Sequence, residues 1–538
     1  MAFENVALHA VTLPLGVVVL LLALALFDLV NYRLLVLEHR VAGVQFPPGP
    51  PAEPILGHLR VIPATNPEYA YMRWSQDFKS DVLGFHILGQ PVVVLNSARA
   101  AIDLLDKRGA NYVDRPRFVL FETMGFERTL TFLRAGPVFR LHRRILQKRF
   151  QKSAIAVDQA LQTKETHHML MGLLANPSAW ETIIRRFATA IVLGIGFGIS
   201  IHTDNDPYVQ MAEDASYALG HGGAPAGTPV DYFPSLRWLP SWMADRSLRF
   251  ARTWRWAIRK LHETPYHAVV ASTEGGSPQV TSLIHSLLAQ RQSQLRTGTE
   301  PELSEDDIKG AAAAVYAAGQ DTTWATLVVL ILNMIRNPAV LKKAQKVLDD
   351  ALGDRLPTFA DRGRPELVYI EHIVSETLRW CPVSPLGVPH RTVDDDNYKN
   401  MFIPAGAYVY ANARAITHDT SVYAQPDAFE PERYARGEPL PVGQFGFGRR
   451  ICVGQHLAQA SVWIAAAALL KCFELKPVNN DTQVMCTDSE VKLTSGLTSH
   501  PKRFGCTFEP RADVAALVYK NGKDGDAWPL RREEREQD

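Results

Sequence analysis

The chain has 538 residues, 46% of them hydrophobic, and a formal net charge of +1. That supplies a substantial core and excludes a nucleic-acid partner held by a strongly basic surface. Five cysteines, an odd number without paired spacing, exclude a disulfide framework or a zinc site and fit a reducing compartment. Val11 to Phe27 is apolar apart from Thr12, Pro14 and Gly16, and Leu29 and Val30 extend it beyond Asp28. About 20 such residues span a bilayer. Ala23-Leu24-Ala25 offers a signal-peptidase site, but no Lys or Arg precedes the run, whereas Arg33 and Arg40 follow it. This asymmetry predicts an uncleaved anchor over residues 1–32 with the remaining chain cytoplasmic. Residues 33–57 contain Phe46-Pro47-Pro48-Gly49-Pro50-Pro51, a stiff polyproline-like hinge.

Within 58–511, the runs Val82 to Ile87 and Pro91 to Leu95 predict a small N-terminal sheet. Asp158 to Leu174 and Leu341 to Ala351 carry helical periodicity, as does most of the remainder. Arg140, Arg144 and Lys148 recur at helical spacing. The stripe is either a solvated face or a docking patch for an acidic partner. Val230 to Trp242 is aromatic-rich and broken by prolines. Ser304 and Asp307 form a capping box opening a helix over 305–336, roughly 48 Å long, which Asn337-Pro338 ends. Ala311 to Ile335 is nearly uncharged, so the run alone also fits a membrane span interrupted by polar residues. Asp321 and Thr322 stand in its middle, where a carboxylate is costly unless paired, protonated or useful.

Glu376 and Arg379, three apart, share a helix face and can pair. Three prolines between Cys381 and His390 then force an extended stretch. Farther on, Cys452 sits in the glycine-rich turn Phe445 to Gly454, followed at once by the helix-compatible run Gln455 to Leu470. A thiolate there lies at a helix N-terminus, where the macrodipole and free N–H groups stabilise it. Gly448 and Gly454 let the backbone approach the sulfur and aim N–H donors at it. Arg450, two residues before Cys452, is placed to meet an anionic group bound beside the sulfur. Ser495 to Pro501 reads as a hairpin tip, and residues 512–538 as a disordered tail.

The pattern Phe445-x-x-Gly448-x-Arg450-x-Cys452-x-Gly454 resembles the haem-ligand signature of the cytochrome P450 superfamily at all five fixed positions. Ala318-Gly319-Gln320-Asp321-Thr322-Thr323 is similar to its oxygen-activation motif, and Glu376-Thr377-Leu378-Arg379 to its Glu-x-x-Arg. Phe429-Glu430-Pro431-Glu432-Arg433-Tyr434 resembles its Pro-Glu-Arg-Phe element, with Tyr434 in place of Phe. The family's Trp-x-x-x-Arg stands here as Phe139-Arg140-Leu141-His142-Arg143, which lacks the indole N–H. The Asp114-Arg115-Pro116 element and the Ser495 to Pro501 tip resemble fungal enzymes of secondary metabolism related to the sterigmatocystin-type oxidases.

The resemblance implies a mainly α fold with small β-sheets, a helical prism around a buried haem b. It implies Cys452 as axial ligand of the iron, with Phe445, Gly448, Gly454, Arg450, Arg143 and His390 holding the cofactor. Whether His390 or Arg391 meets the haem propionate stays open. Thr322 and Asp321 would activate dioxygen by moving protons, and Glu376, Arg379 and Arg433 would form a buried structural triad. Phe121, Phe126, Ala318, Leu386, Val388 and Leu497 would line the substrate pocket. Electrons would come from NADPH through the FAD and FMN of NADPH-cytochrome P450 reductase at the endoplasmic reticulum membrane, with cytochrome b5 as a further candidate donor. The expected activity is insertion of one oxygen atom into a lipophilic terpenoid or polyketide. Two alternatives stand beside it: a haem-thiolate isomerase or dehydratase that needs no dioxygen, and a haem-binding sensor without turnover. The intact Asp321-Thr322 pair argues against both.

Overall fold

The computed structural model describes residues 45–274, 282–478, 491–511 and 513–521, together with Leu26, Val30, Val484 and Cys486. Apart from Leu26 and Val30, the expected anchor lies outside the described residues, as does the tail from residue 522 onward. In chain order the elements that matter here begin with α1 (Pro67–Asp77) and the strands β1 (Val82–Ile87) and β2 (Gln90–Leu95). Next come α2 (Val119–Met124), α3 (Pro137–Phe150), α4 (Gln159–Ala175) and α5 (Trp180–Phe197). They are followed by α6 (Pro207–His221), α7 (Pro229–Tyr232), α8 (Arg246–Glu274), α9 (Leu283–Arg296) and α10 (Glu305–Arg336). After α11 (Pro338–Leu352) and α12 (Val368–Trp380) come β3 (His390–Arg391), β4 (Asp396–Tyr398), β5 (Met401–Ile403) and β6 (Tyr408–Ala411). The described residues close with α13 (Gln455–Cys472), β7 (Phe473–Pro477), β8 (Cys506–Pro510) and α14 (Val514–Asn521).

β1 and β2 pair antiparallel through the turn Leu88-Gly89, both residues at positive φ, the backbone that a two-residue hairpin requires. β2 continues parallel to β6 with Val92 opposite Tyr408, and β3 closes the sheet against β6. The Pro-rich run is not a free hinge. Gly84 donates its N–H to the Pro48 carbonyl at 2.9 Å, and His58 bonds the Pro50 carbonyl at 2.7 Å. A Cβ on Gly49 would stand 2.2 Å from the Gly84 carbonyl oxygen, so glycine is what permits this docking. From residue 45 the segment is therefore part of the domain.

α10 is the axis of the molecule. Its capping box is formed: Ser304 Oγ donates to Asp307 at 2.6 Å, and the Asp307 N–H returns to Ser304 Oγ at 3.1 Å. It is long and apolar enough to cross a membrane, yet it lies inside the protein, packed on α5, α13, α12, α8 and α6. The membrane-span reading is thereby overturned. A helix apolar on every side belongs in the centre of a helical core. The tail also departs from expectation over its first part. Val514, Leu517 and Val518 are buried, and α14 packs on α4. Spacings of three and four put these residues on one face, which supplies an apolar stripe to dock.

Candidate active site

The turn before α13 carries Cys452. Its N–H donates to the Phe445 carbonyl at 2.9 Å, with Gly446 at φ 74° bending the chain between them. The side chain faces a cavity of about 350 Å³ that Phe445 and Gly454 also line. Enclosure within the protein pushes the Cys452 thiol up, opposed by the N–H groups of Gly454 and Gln455 and by the Arg143 charge. A bound metal ion would reverse that balance and hold the thiolate. The Gly454 N–H thus faces the sulfur, whereas the Gly448 N–H does not. The Gly448 N–H bonds the Asp106 carboxylate, and a Cβ there would lie 1.9 Å from the Leu105 carbonyl oxygen. Its role is close packing against the segment Ile102–Lys107, at φ 57°, which suits glycine.

Cationic side chains ring the same cavity. Arg143 of α3 donates to the Ile451 carbonyl and to Gln147 Oε1 at 3.2 Å. Arg450 donates to the carbonyls of Val113 at 2.7 Å and Leu133 at 2.9 Å, and lies 3.5 Å from the centre of the Phe139 ring. Burial draws the Arg450 guanidinium down to about 9. His390 bonds the Tyr112 carbonyl through Nδ1 at 2.7 Å, and burial, with Arg115 close by, holds its ring well below the usual histidine range. Arg391 turns away to Asp114 at 3.2 Å and does not line the cavity.

Arg115 escaped the sequence reading as a site residue. It is buried on the cavity wall, donates to the Pro389 carbonyl at 2.8 Å, and its Nε finds no partner among the described residues. Arg450 Nη2 is likewise buried and without a partner among the described residues. Unpaired buried donors are costly. Two of them beside a cavity fit an acidic group, as the propionates of haem would be. The one signal in the sequence was Arg115 itself, within Asp114-Arg115-Pro116.

Across the cavity, α10 presents Ala318, Asp321 and Thr322. Thr322 Oγ1 donates back to the Ala318 carbonyl at 2.8 Å, and Asp321 Oδ2 accepts from Thr498 Oγ1 at 2.9 Å. Phe126, Leu386, Val388 and Leu497 line the wall. Phe121 does not: it is buried behind the wall, stacked on Phe132 at 4.6 Å between ring centres. Phe132 takes the wall position instead. Away from the cavity, Arg379 grips Glu376 with two bonds of 2.8 Å, and Arg433 Nε adds a third at 3.0 Å. Tyr434 donates its hydroxyl to the same carboxylate at 2.8 Å. The Glu376, Arg379 and Arg433 side chains are fully buried.

The family model for Cytochrome P450 matches residues 47–508. The chain is 35% identical over 483 residues to a cytochrome P450 monooxygenase of Armillaria gallica, covering 88% of this chain and 93% of the relative. It is 32% identical over 507 residues to tryptamine 4-monooxygenase of Psilocybe cyanescens, covering 92% and 98%. It is 33% identical over 516 residues to cytochrome P450 monooxygenase 105 of Postia placenta, covering 94% and 96%. The chain belongs to the cytochrome P450 family. As a P450 of fungal type it is a haem monooxygenase, and the family holds haem iron through a thiolate. Among the described residues, Cys452 is the one cysteine on the cavity wall.

Proposed function

We propose that this P450 is a membrane-anchored monooxygenase that places one oxygen atom of dioxygen on a lipophilic terpenoid or polyketide. NADPH would supply the electrons through the FAD and FMN of its cytochrome P450 reductase. The observation that carries this reading is the facing of Cys452 and the Asp321-Thr322 pair across one largely apolar cavity. Cys452 would hold the iron, and Arg143, Arg450 and Arg115 would receive the carboxylates of the cofactor, with His390 able to donate from Nε2 once a carboxylate there restores its proton. Bound haem supplies the redox chemistry that activates dioxygen. Thr322 places its hydroxyl on the cavity wall, able to turn from the Ala318 carbonyl and donate, and Asp321 would renew its proton, two protons being required for each water released. Phe126, Phe132, Leu386, Val388 and Leu497 exclude water and orient an apolar substrate.

Surface chemistry supports the membrane setting. Trp238, Trp242 and Met243 are 77%, 80% and 52% exposed, close in sequence to Arg237, Arg246 and Arg249. Exposed tryptophans among arginines suit a bilayer interface.

The test uses microsomes carrying the protein with reductase, NADPH, labelled dioxygen and a lipophilic metabolite extract. A product carrying one labelled oxygen, lost in Cys452→Ser and in Thr322→Ala, is the expected result. An unlabelled product formed without NADPH would overturn the monooxygenase reading and favour an isomerase.

A further inference from the structure

Both members of the proton-moving pair line the cavity, yet their polar atoms are engaged elsewhere. Thr322 Oγ1 is spent on its own helix, at the Ala318 carbonyl. Asp321 has each oxygen engaged: Oδ2 by the Thr498 hydroxyl at 2.9 Å, and Oδ1 by Arg185 at 3.6 Å. Arg185 is itself fixed. It stacks 3.8 Å from the centre of the Trp324 ring and reaches Glu213 at 3.4 Å, whose side chain is 39% exposed. The acid is therefore tied toward α5 and α6 and, through Arg185 and Glu213, toward solvent.

The residue that holds the other oxygen lies on the cavity wall. Thr498 follows Leu497, and both line the cavity. Their backbone is pinned on either side: Ser384 Oγ donates to the Leu497 carbonyl at 3.1 Å, and the Ser499 N–H donates to the Val383 carbonyl at 2.7 Å. Val383 and Ser384 line the same cavity. A molecule filling the cavity would touch the segment whose Thr498 side chain bonds the acid.

We propose that Thr498 is a positioning residue that keeps the proton relay idle while the cavity is empty, its hydroxyl latching Asp321 until an occupant displaces the Leu497–Thr498 tip. This rests on the reading of Asp321 as the acid that renews the Thr322 proton. The latch has a chemical purpose. Without an occupant, proton delivery only lets NADPH and a proton reduce dioxygen to hydrogen peroxide, releasing NADP⁺.

The test uses the full-length haem-loaded enzyme with reductase and NADPH, and no substrate. Thr498→Val removes the hydroxyl at nearly constant shape. Its substrate-free NADPH consumption and peroxide release should rise about tenfold, the factor that a hydrogen bond to a charged group carries. Thr498→Ser, which keeps the donor, should restore the low leak. Hydrogen–deuterium exchange over 494–500 gives a readout independent of turnover. Thr498→Val and Asp321→Asn should each speed exchange there, and the double variant should add nothing further. A leak and an exchange rate unchanged in Thr498→Val would overturn the latch. If Asp321→Asn still yields labelled product at the wild-type rate, the relay reading itself fails. Loss of product in Asp321→Asn with an unaltered Thr498→Val sinks the latch alone.

Discussion

Tyr434 shows how one atom extends a buried network. Glu376 accepts from Arg379, Arg433, the Glu430 N–H at 2.8 Å and the Tyr434 hydroxyl at 2.8 Å. Burial, reinforced by the Glu376 charge, pushes the phenol far up, so it stays a donor. Tyr434→Phe leaves the other donors in place and should cost about 1.5 kcal/mol, the lower range for a bond to a charged group. Arg433→Leu should cost about 3–5 kcal/mol, because it strands part of a buried carboxylate and also frees Glu438, held at 2.6 Å. Denaturant unfolding of the haem-loaded protein measures both. Equal losses would mean that Glu376 does not organise the cluster.

At the scale of elements, the approach of α10 to α5 depends on Gly319. A Cβ there would lie 2.5 Å from Val192 Cγ1. Gly319→Ala should destabilise the protein by about 1–3 kcal/mol through overpacking, and Val192→Ala in the same chain should recover most of it. Thermal unfolding of the three variants decides the matter. The short helix α7 carries a pH dependence. Asp231 accepts from Thr228 Oγ1 at 2.6 Å and from the Leu120 N–H at 3.1 Å, yet burial outweighs these bonds and pushes its carboxyl from 3.8 up to about 6. A raised value favours the protonated form on folding. The contribution is therefore complete below pH about 4 and is lost as the pH rises through about 6. Two units correspond to about 3 kcal/mol. The stability of wild type relative to Asp231→Asn should fall by that amount between pH about 4 and about 7. A constant difference would show that Asp231 stays ionised.

Across the whole molecule, a net charge of +1 conceals a local excess. Arg140 and Lys148 on α3 and Arg449 in the cysteine turn are exposed, as is Arg144, which pairs with Glu302, and Arg143 ties α3 to that turn at the Ile451 carbonyl. The basic stripe therefore lies on the Cys452 side of the cavity, where, on the docking reading, an acidic redox partner would deliver electrons over a short path. Arg140→Glu with Lys148→Glu should slow reductase-driven reduction about tenfold at low ionic strength, with the difference closing as salt is added. Stopped-flow reduction across a salt series measures it. A deficit that persists at high salt would point to a damaged site rather than to lost attraction.

The sequence by itself determined what depends on short spacing and on period. The Cys452 turn, the capped α10, the Glu376–Arg379 pair and the β1–β2 hairpin are each written within a few residues or one apolar pattern. It did not disclose contacts between segments far apart in the chain. Thr498 meets Asp321 across 177 residues, and Arg115 enters the cationic ring only because the turn before α2 packs against Val388 and Pro389. Phe121 and Phe132 look equally suited to the wall, and Gly448 looks as much a partner of sulfur as Gly454. Packing chose between them, because which side chain faces a cavity depends on the register of whole elements against one another. Tertiary structure alone decided that Asp321 is latched and that the apolar α10 lies in the core of the protein.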